Sequence, residues 1–158
     1  MEASDRTATA TLPARLLDED ELAAWRGLFR AHSRLTRALD TDLVSAHGLP
    51  LTSYEVLLYL ADSPDGRLRM SELADSVLLS RSGLTRLVDR LERQQLLRRE
   101  SCPSDRRGSY AAITQRGRAL FDRARATHLE GVRRRFLNHL SEDELRWLGE
   151  VWRRTTGA

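Results

Sequence analysis

Three short stretches, "LDEDEL", "LTSYEV" and "LSEDEL", repeat one pattern: an oxygen-bearing residue, a glutamate three places on, and apolar residues on either side. Asp18 with Glu21, Thr52 with Glu55, and Ser141 with Glu144 are spaced as reciprocal capping boxes. Leu17 and Leu22, Leu51 and Val56, and Leu140 and Leu145 are the matching hydrophobic staples. Each such start satisfies backbone N–H groups that a helix otherwise leaves open. Three of them commit the chain to a mainly α fold.

Periodicity fills in the segments between these starts. Over residues 18–47 the apolar positions Leu22, Trp25, Leu28, Leu35, Leu39 and Leu43 keep to one helical face. Gly48 supplies a left-handed end and Pro50 stops continuation. A second helix is predicted over 53–62, ended by "SPDGR", and a short strand around Leu68. "MSELADSV" reads as a third helix and "SRSGLTRLVDRLERQQ" as a fourth, capped by Ser80 with Leu79 and Leu84 as staple. Leu84, Leu87, Val88 and Leu91 form its buried stripe, which leaves Ser82, Thr85, Arg86, Asp89 and Arg93 on other faces.

"LLRRESC" and "SYAAIT" alternate as strands around the turn-rich "PSDRRG", a hairpin with arginines at its tip. Thr114 is placed to cap a fifth helix running to about Leu140, with Leu120, Phe121, Leu129, Val132, Phe136 and Leu140 on its apolar side. A sixth helix follows over 141–154, with Leu145, Leu148, Val151 and Trp152 inward. Two short helices joined by the tight "DSVLLS" turn and followed by a basic arm make a winged helix-turn-helix. The fold class is therefore mainly α with a small β wing. Residues 1–17 read as a flexible tail and 18–158 as one domain, its winged unit at about 51–115. The long helices at about 18–47 and 115–155 carry more apolar surface than so small a unit covers, so they are expected to bury it between two chains.

Charge locates a working face. All 26 cations of the 158 residues are arginine, and the net charge is only +3. Residues 81–118 hold ten arginines against four acids, a net +6, so the remainder of the chain stands at −3. This asymmetry is expected of a nucleic-acid-binding surface, where the arginine fork grips phosphates or guanine edges at two points. No apolar run approaches the ~18 residues that span a bilayer, and the first residues lack the basic start and apolar core of a signal peptide. The lone Cys102 allows neither an internal disulfide nor a cysteine metal cage, which suits a reducing cytoplasm. Cys102 itself reads as an inert structural thiol. His32, His47, His128 and His139 have no metal-ligand spacing, and His47 reads as a helix-dipole contact. There is no nucleophile-base pairing, phosphate loop or metal motif, so neither enzyme nor cofactor is expected.

The ordered set in "SELADSVLLSRSGLTRLVDRLERQQLLRRESCPSDRRGSYAAITQRG" resembles the MarR family of bacterial transcription regulators. It comprises the helix-turn-helix, the leucines leading to the wing, the Asp-Arg-Arg tip and a Thr-x-x-Gly entry to the fifth helix. With the flanking helices the resemblance covers about 18–154. It implies a homodimer, joined through its terminal helices, that binds pseudo-palindromic operators in double-stranded DNA. It also implies release by a small phenolic or other anionic effector in many members. One departure stands out: the family commonly has Gly after the recognition helix, where this chain has Gln95. Gly reaches the left-handed conformation freely and Gln does so at a cost of ~1 kcal/mol, so the helix is expected to end differently here.

On this reading Ser80, Arg81, Ser82, Thr85 and Arg86 face the major groove, with Arg86 placed to read a guanine. Asp89 and Glu92, in the later turns, are placed to orient arginines. The wing offers Arg106 to a narrow minor groove and holds Arg107 braced, and the resemblance gives Asp105 a bracing ion pair. The resemblance also points to an effector cleft drawn from the first, second and fifth helices, with Trp25, Arg26, His32, Tyr54 and Tyr59 as candidates. A winged-helix module that binds proteins and has no specific DNA binding is the alternative the residues leave open.

Overall fold

The structure, a computed structural model, describes residues 15–77, 79–102 and 105–157; the side chains of Cys102 and of residues 105–107 lie outside that description. Its elements run α1 (Glu19–His47), α2 (Leu51–Asp62), β1 (Arg67–Arg69), α3 (Met70–Ser76), α4 (Arg81–Arg93), β2 (Leu97–Cys102), β3 (Asp105–Ile113), α5 (Gln115–Arg135), one 3-10 turn (Leu137–His139) and α6 (Glu142–Thr156). The chain divides into two units between Ser33 and Arg34, inside α1.

The first unit is the leading half of α1. Its capping box forms as the spacing predicts: Glu21 N–H donates to Asp18 Oδ1 and Asp18 N–H to Glu21 Oε2, each at 2.9 Å. Trp25 meets Phe29 edge to face at 4.7 Å, and both rings are exposed.

In the second unit one core gathers Leu39 and Leu43 of α1, Tyr54, Val56, Leu57 and Leu60 of α2, Leu73 of α3, the α4 stripe and Phe121 of α5. The buried residues of α4 are the predicted Leu84, Leu87, Val88 and Leu91. The three strands lie antiparallel in the order β1-β3-β2, with Leu68 opposite Ala111 and Leu97 opposite Ile113. Ser141 caps α6 with Glu144 as expected, and the N–H and hydroxyl of Ser141 hold the Glu144 carboxyl below the usual carboxylate range.

Two expectations are corrected. Thr52 does not cap α2: the helix begins at Leu51 behind Pro50, and Asp40 Oδ1 of α1 accepts the Leu51 N–H at 2.8 Å. A tertiary partner has taken the job the local pattern assigned to Thr52. The fifth helix stops at Arg135 and not near Leu140. Phe136 leaves helical geometry at φ −133°, and one 3-10 turn sets Ser141 in the extended conformation its cap requires. The apolar rhythm runs straight through this break, and no glycine or proline marks it. In the single chain no residue of α6 is buried: Trp147 is 62% exposed, and Leu145, Leu148 and Val151 are half-buried.

The Thr-x-x-Gly motif has a steric cause. Thr114 Oγ1 accepts the Gly117 N–H at 3.0 Å and donates to the carbonyls of Gln95 and Leu96. A Cβ on Gly117 would stand 1.9 Å from the Leu96 carbonyl oxygen, backbone that cannot swing aside. Gly117→Ala is therefore expected to cost about 2–3 kcal/mol, at the upper end of overpacking penalties. Urea unfolding at fixed protein concentration measures this, and an unshifted midpoint would contradict it.

Candidate nucleic-acid interface

The first turns of α4 present the predicted polar set to solvent. Ser80, Arg81, Ser82, Thr85 and Arg86 are all exposed. Ser80 Oγ accepts the Gly83 N–H at 3.1 Å and lies 3.3 Å from Ser82 Oγ. The cap thus holds the two hydroxyls together at the helix start. Thr85 donates to the Arg81 carbonyl at 2.8 Å, which leaves its oxygen free to accept.

The acids of α4 lie in its later turns, where an arginine of the sheet holds them. Arg99 of β2 reaches Asp89 at 2.6 Å and Glu92 at 2.8 Å, and its N–H donates to Glu92 as well. Sequence placed the two acids as arginine holders without naming which arginine. Arg90 donates to the buried Ser53 hydroxyl of α2 at 3.1 Å. The carboxylates are thereby spent on the scaffold, and the leading face of α4 stays cationic.

Gln95 adopts φ 59°, so the left-handed turn forms without glycine, contrary to the expectation of a different ending. The Leu96 N–H donates to Leu91 and the Leu96 carbonyl accepts from Thr114 N–H, so the bonds around the corner hold the unfavourable dihedral. β3 begins at Asp105, and residues 105–107 therefore belong to a strand by backbone geometry where a turn was expected. Ser101 pairs with Ser109 and Cys102 with Asp105, so residues 106–108 bulge out of register. The side chains of Cys102, Asp105, Arg106 and Arg107 lie outside the described residues, as do residues 1–14 of the tail.

A feature not anticipated from sequence lies on the open face of the sheet. Arg67 and Arg69 sit over the Tyr110 ring at 5.2 and 5.6 Å, a cation–π arrangement. Glu100 joins Arg98 at 2.7 Å and Arg67 at 3.4 Å. The Arg98 hydrogen bond, with help from Arg67, holds the Glu100 carboxyl below its ordinary range. Only strand register reveals this set, because Arg69 pairs with a residue 41 positions away.

The effector candidates fall in both units. Trp25, Arg26 and His32 are exposed on the leading half of α1. Tyr59 is exposed on α2, whereas Tyr54 is 2% exposed, stacked on Phe121 at 5.4 Å and on His128 at 4.5 Å. Burial raises the Tyr54 phenol above its ordinary value and lowers the His128 imidazole below 6.5. The buried Nδ1 of His128 has no hydrogen-bond partner. His47 Nε2 is bonded to Thr127 Oγ1 at 2.8 Å. Among the described residues no three His, Cys, Asp or Glu side chains converge on a metal-sized site, and no helix is long and apolar enough to cross a membrane.

A family model described as MarR family matches residues 47–108. The HTH-type transcriptional regulator MhqR of Bacillus subtilis (strain 168) is 32% identical over 130 residues, 80% of this chain and 88% of that protein. The chain belongs to the MarR family of transcriptional regulators. Two solved MarR family regulators from Streptomyces coelicolor superpose along nearly its whole length. AbsC is 34% identical at a TM-score of 0.85, over 91% of this chain and 97% of its own. Sco3205, whose structure is a complex with DNA, is 37% identical at a TM-score of 0.86, over 90% of each.

Two outcomes follow for this MarR family member. Replacing Gln95 by Gly relieves the left-handed strain and is expected to raise stability by about 1 kcal/mol, read as a higher urea midpoint; a lower midpoint would contradict the strain. Below pH 6.5 the unfolded chain protonates His128 while the folded chain keeps it neutral, so stability is full above that pH and falls beneath it. His128→Phe, which keeps the stack, is expected to shrink the loss of melting temperature between pH 7.5 and 5.5. An unaltered loss would show that other groups cause it.

Proposed function

We propose that this regulator acts in the cytoplasm as a homodimer that binds a pseudo-palindromic operator and represses transcription, with no catalytic role. The observation that carries the reading is the division of labour on α4. Its exposed first turns carry only hydroxyls and arginines, while both of its acids lie in the later turns and bind Arg99 of β2. A helix entering the major groove by its N-terminal end needs that distribution.

In this reading Ser80, Arg81, Ser82, Thr85 and Arg86 meet the major groove, and Arg106 enters the minor groove with Arg107 and Asp105 beside it. Pairing of two chains rests on the apolar face that α6 leaves uncovered, with Trp147 and Trp152 exposed on that helix. The α6 face joins the terminal helices of both protomers, the proposed dimerisation segments at about 18–47 and 115–155. A small anionic or aromatic effector is the proposed release signal, with Trp25, Arg26, His32, Tyr54 and Tyr59 as its candidate residues. Tyr54 takes part through its buried stack with His128.

Mobility-shift titration against DNA upstream of the regulator's own gene tests the reading. Arg86→Ala is expected to weaken operator binding by on the order of 10–100-fold, the value of one bidentate base contact, and to change random-DNA binding little. Arg106→Ala is expected to weaken both and to flatten the salt dependence. Equal competition by random and upstream DNA for the wild-type protein would contradict specific recognition.

A further inference from the structure

A cleft of about 430 Å³ opens where the end of α1, the end of α4 and the start of α5 meet. Leu49 and Leu96, 2% and 4% exposed, form its floor, and the half-buried Leu120 extends it. His47 makes one wall, its ring held through Nε2 by Thr127 Oγ1 at 2.8 Å. Gln94, where α4 ends, stands on the rim and offers an amide. Gly48, at φ 62° and with nothing near the place a Cβ would take, leaves the remaining side open.

Two arginines supply the charge. Arg116 and Arg123 both line the cleft, and both are exposed. Among the described residues neither has an ion pair or a hydrogen bond through its guanidinium, and no carboxylate lines the cleft. This separates them from Arg99, Arg134 and Arg135, whose charge is taken by Asp89, Glu92 and Asp42. Seven residues apart on α5, they lie two turns apart on one side of the helix, about 10 Å along its axis. Leu120 lies between them. A compact anion can satisfy one fork but leaves the leucine floor uncovered. A molecule with an anionic group at each end and an apolar middle engages both forks and lays its middle on the floor.

The position sets this cleft apart from the surfaces already described. α4 is 13 residues long, so its end at Gln94 stands about 20 Å along the helix from Ser80 and the proposed DNA contacts. None of the effector candidates Trp25, Arg26, His32, Tyr54 and Tyr59 lines it. We propose that this cleft is a binding site for small dicarboxylates. Arg116 and Arg123 each take one carboxylate, and Leu49, Leu96 and Leu120 take the hydrocarbon between. The proposal depends on neither the DNA-binding nor the effector reading.

Isothermal titration calorimetry of the full-length protein tests it, with the straight-chain dicarboxylates from succinate to sebacate as probes. Saturable binding at one site per chain is expected, with the highest affinity at an intermediate length, because short chains reach only one arginine and long ones must fold. The monoamide of the best dicarboxylate has the same length and one neutral end. It is expected to bind more weakly, on the order of 10-fold, for the loss of one charge-assisted pair. Arg116→Gln and Arg123→Gln are each expected to weaken the dicarboxylate by a similar factor and to erase its advantage over the monoamide. Both side chains are exposed, so both variants are expected to fold.

No saturable binding by any member of the series would overturn the proposal. Equal affinity for the monoamide, an affinity that climbs steadily with chain length, or wild-type affinity in either variant would do the same. Each of these outcomes leaves operator binding untouched, so failure here is distinct from failure of the DNA-binding reading.

Discussion

The corner at Gln95 and Leu96 is the joint on which the rest depends, because α4, the hairpin and α5 all leave from it. The Leu96 carbonyl accepts both the N–H and the hydroxyl of Thr114, each at 3.1 Å. Gly117 lets the first turn of α5 lie against that same carbonyl. Arg99 adds a second tie, joining β2 to Asp89 and Glu92 on α4. One peptide and one guanidinium thus set the angle between a helix tip and a two-stranded arm. Individually exposed ion pairs are worth little, but here a bidentate arginine and a hydrogen-bonded corner act on the same angle. The left-handed Gln95 is the strained element these bonds overrule.

Electrostatics and packing divide between different parts of the chain. The basic excess of residues 81–118 is shaped by where its acids go: Asp89, Glu92 and Glu100 are all occupied by arginines of the scaffold or the sheet. The cations left on the leading edge can act on a partner. Packing runs the other way. α4 buries its whole apolar stripe, whereas α6 buries nothing, and an amphipathic helix left that open is stable when a second surface covers it. A second copy of the chain, in this account, supplies the surface and sets two leading edges side by side.

Much of this was legible in the sequence because the signals are local. The caps at Asp18, Ser80, Thr114 and Ser141 need only a few neighbouring residues to form, and each formed. The α4 stripe and the polar first turn follow from a single period. What was missed depends on distant partners. Asp40 displaced Thr52 as the cap of α2 across a helix-helix corner. The break at Phe136 answers to the cap of α6 and leaves no mark in the apolar rhythm. The Arg67–Tyr110–Arg69 stack needs the β1–β3 register, and a three-residue strand is too short to announce its pairing.

The central claim is that paired chains place a helix in each wide groove and an arm in each adjacent narrow one, along one face of the duplex. Hydroxyl-radical footprinting of the upstream DNA, read on both strands beside guanine-N7 methylation protection, tests it most directly. The account predicts two N7-protected patches about one helical turn apart, each flanked outwardly by backbone protection across a minor groove on the same face. A single protected groove, or backbone protection spread evenly around the helix, would contradict it.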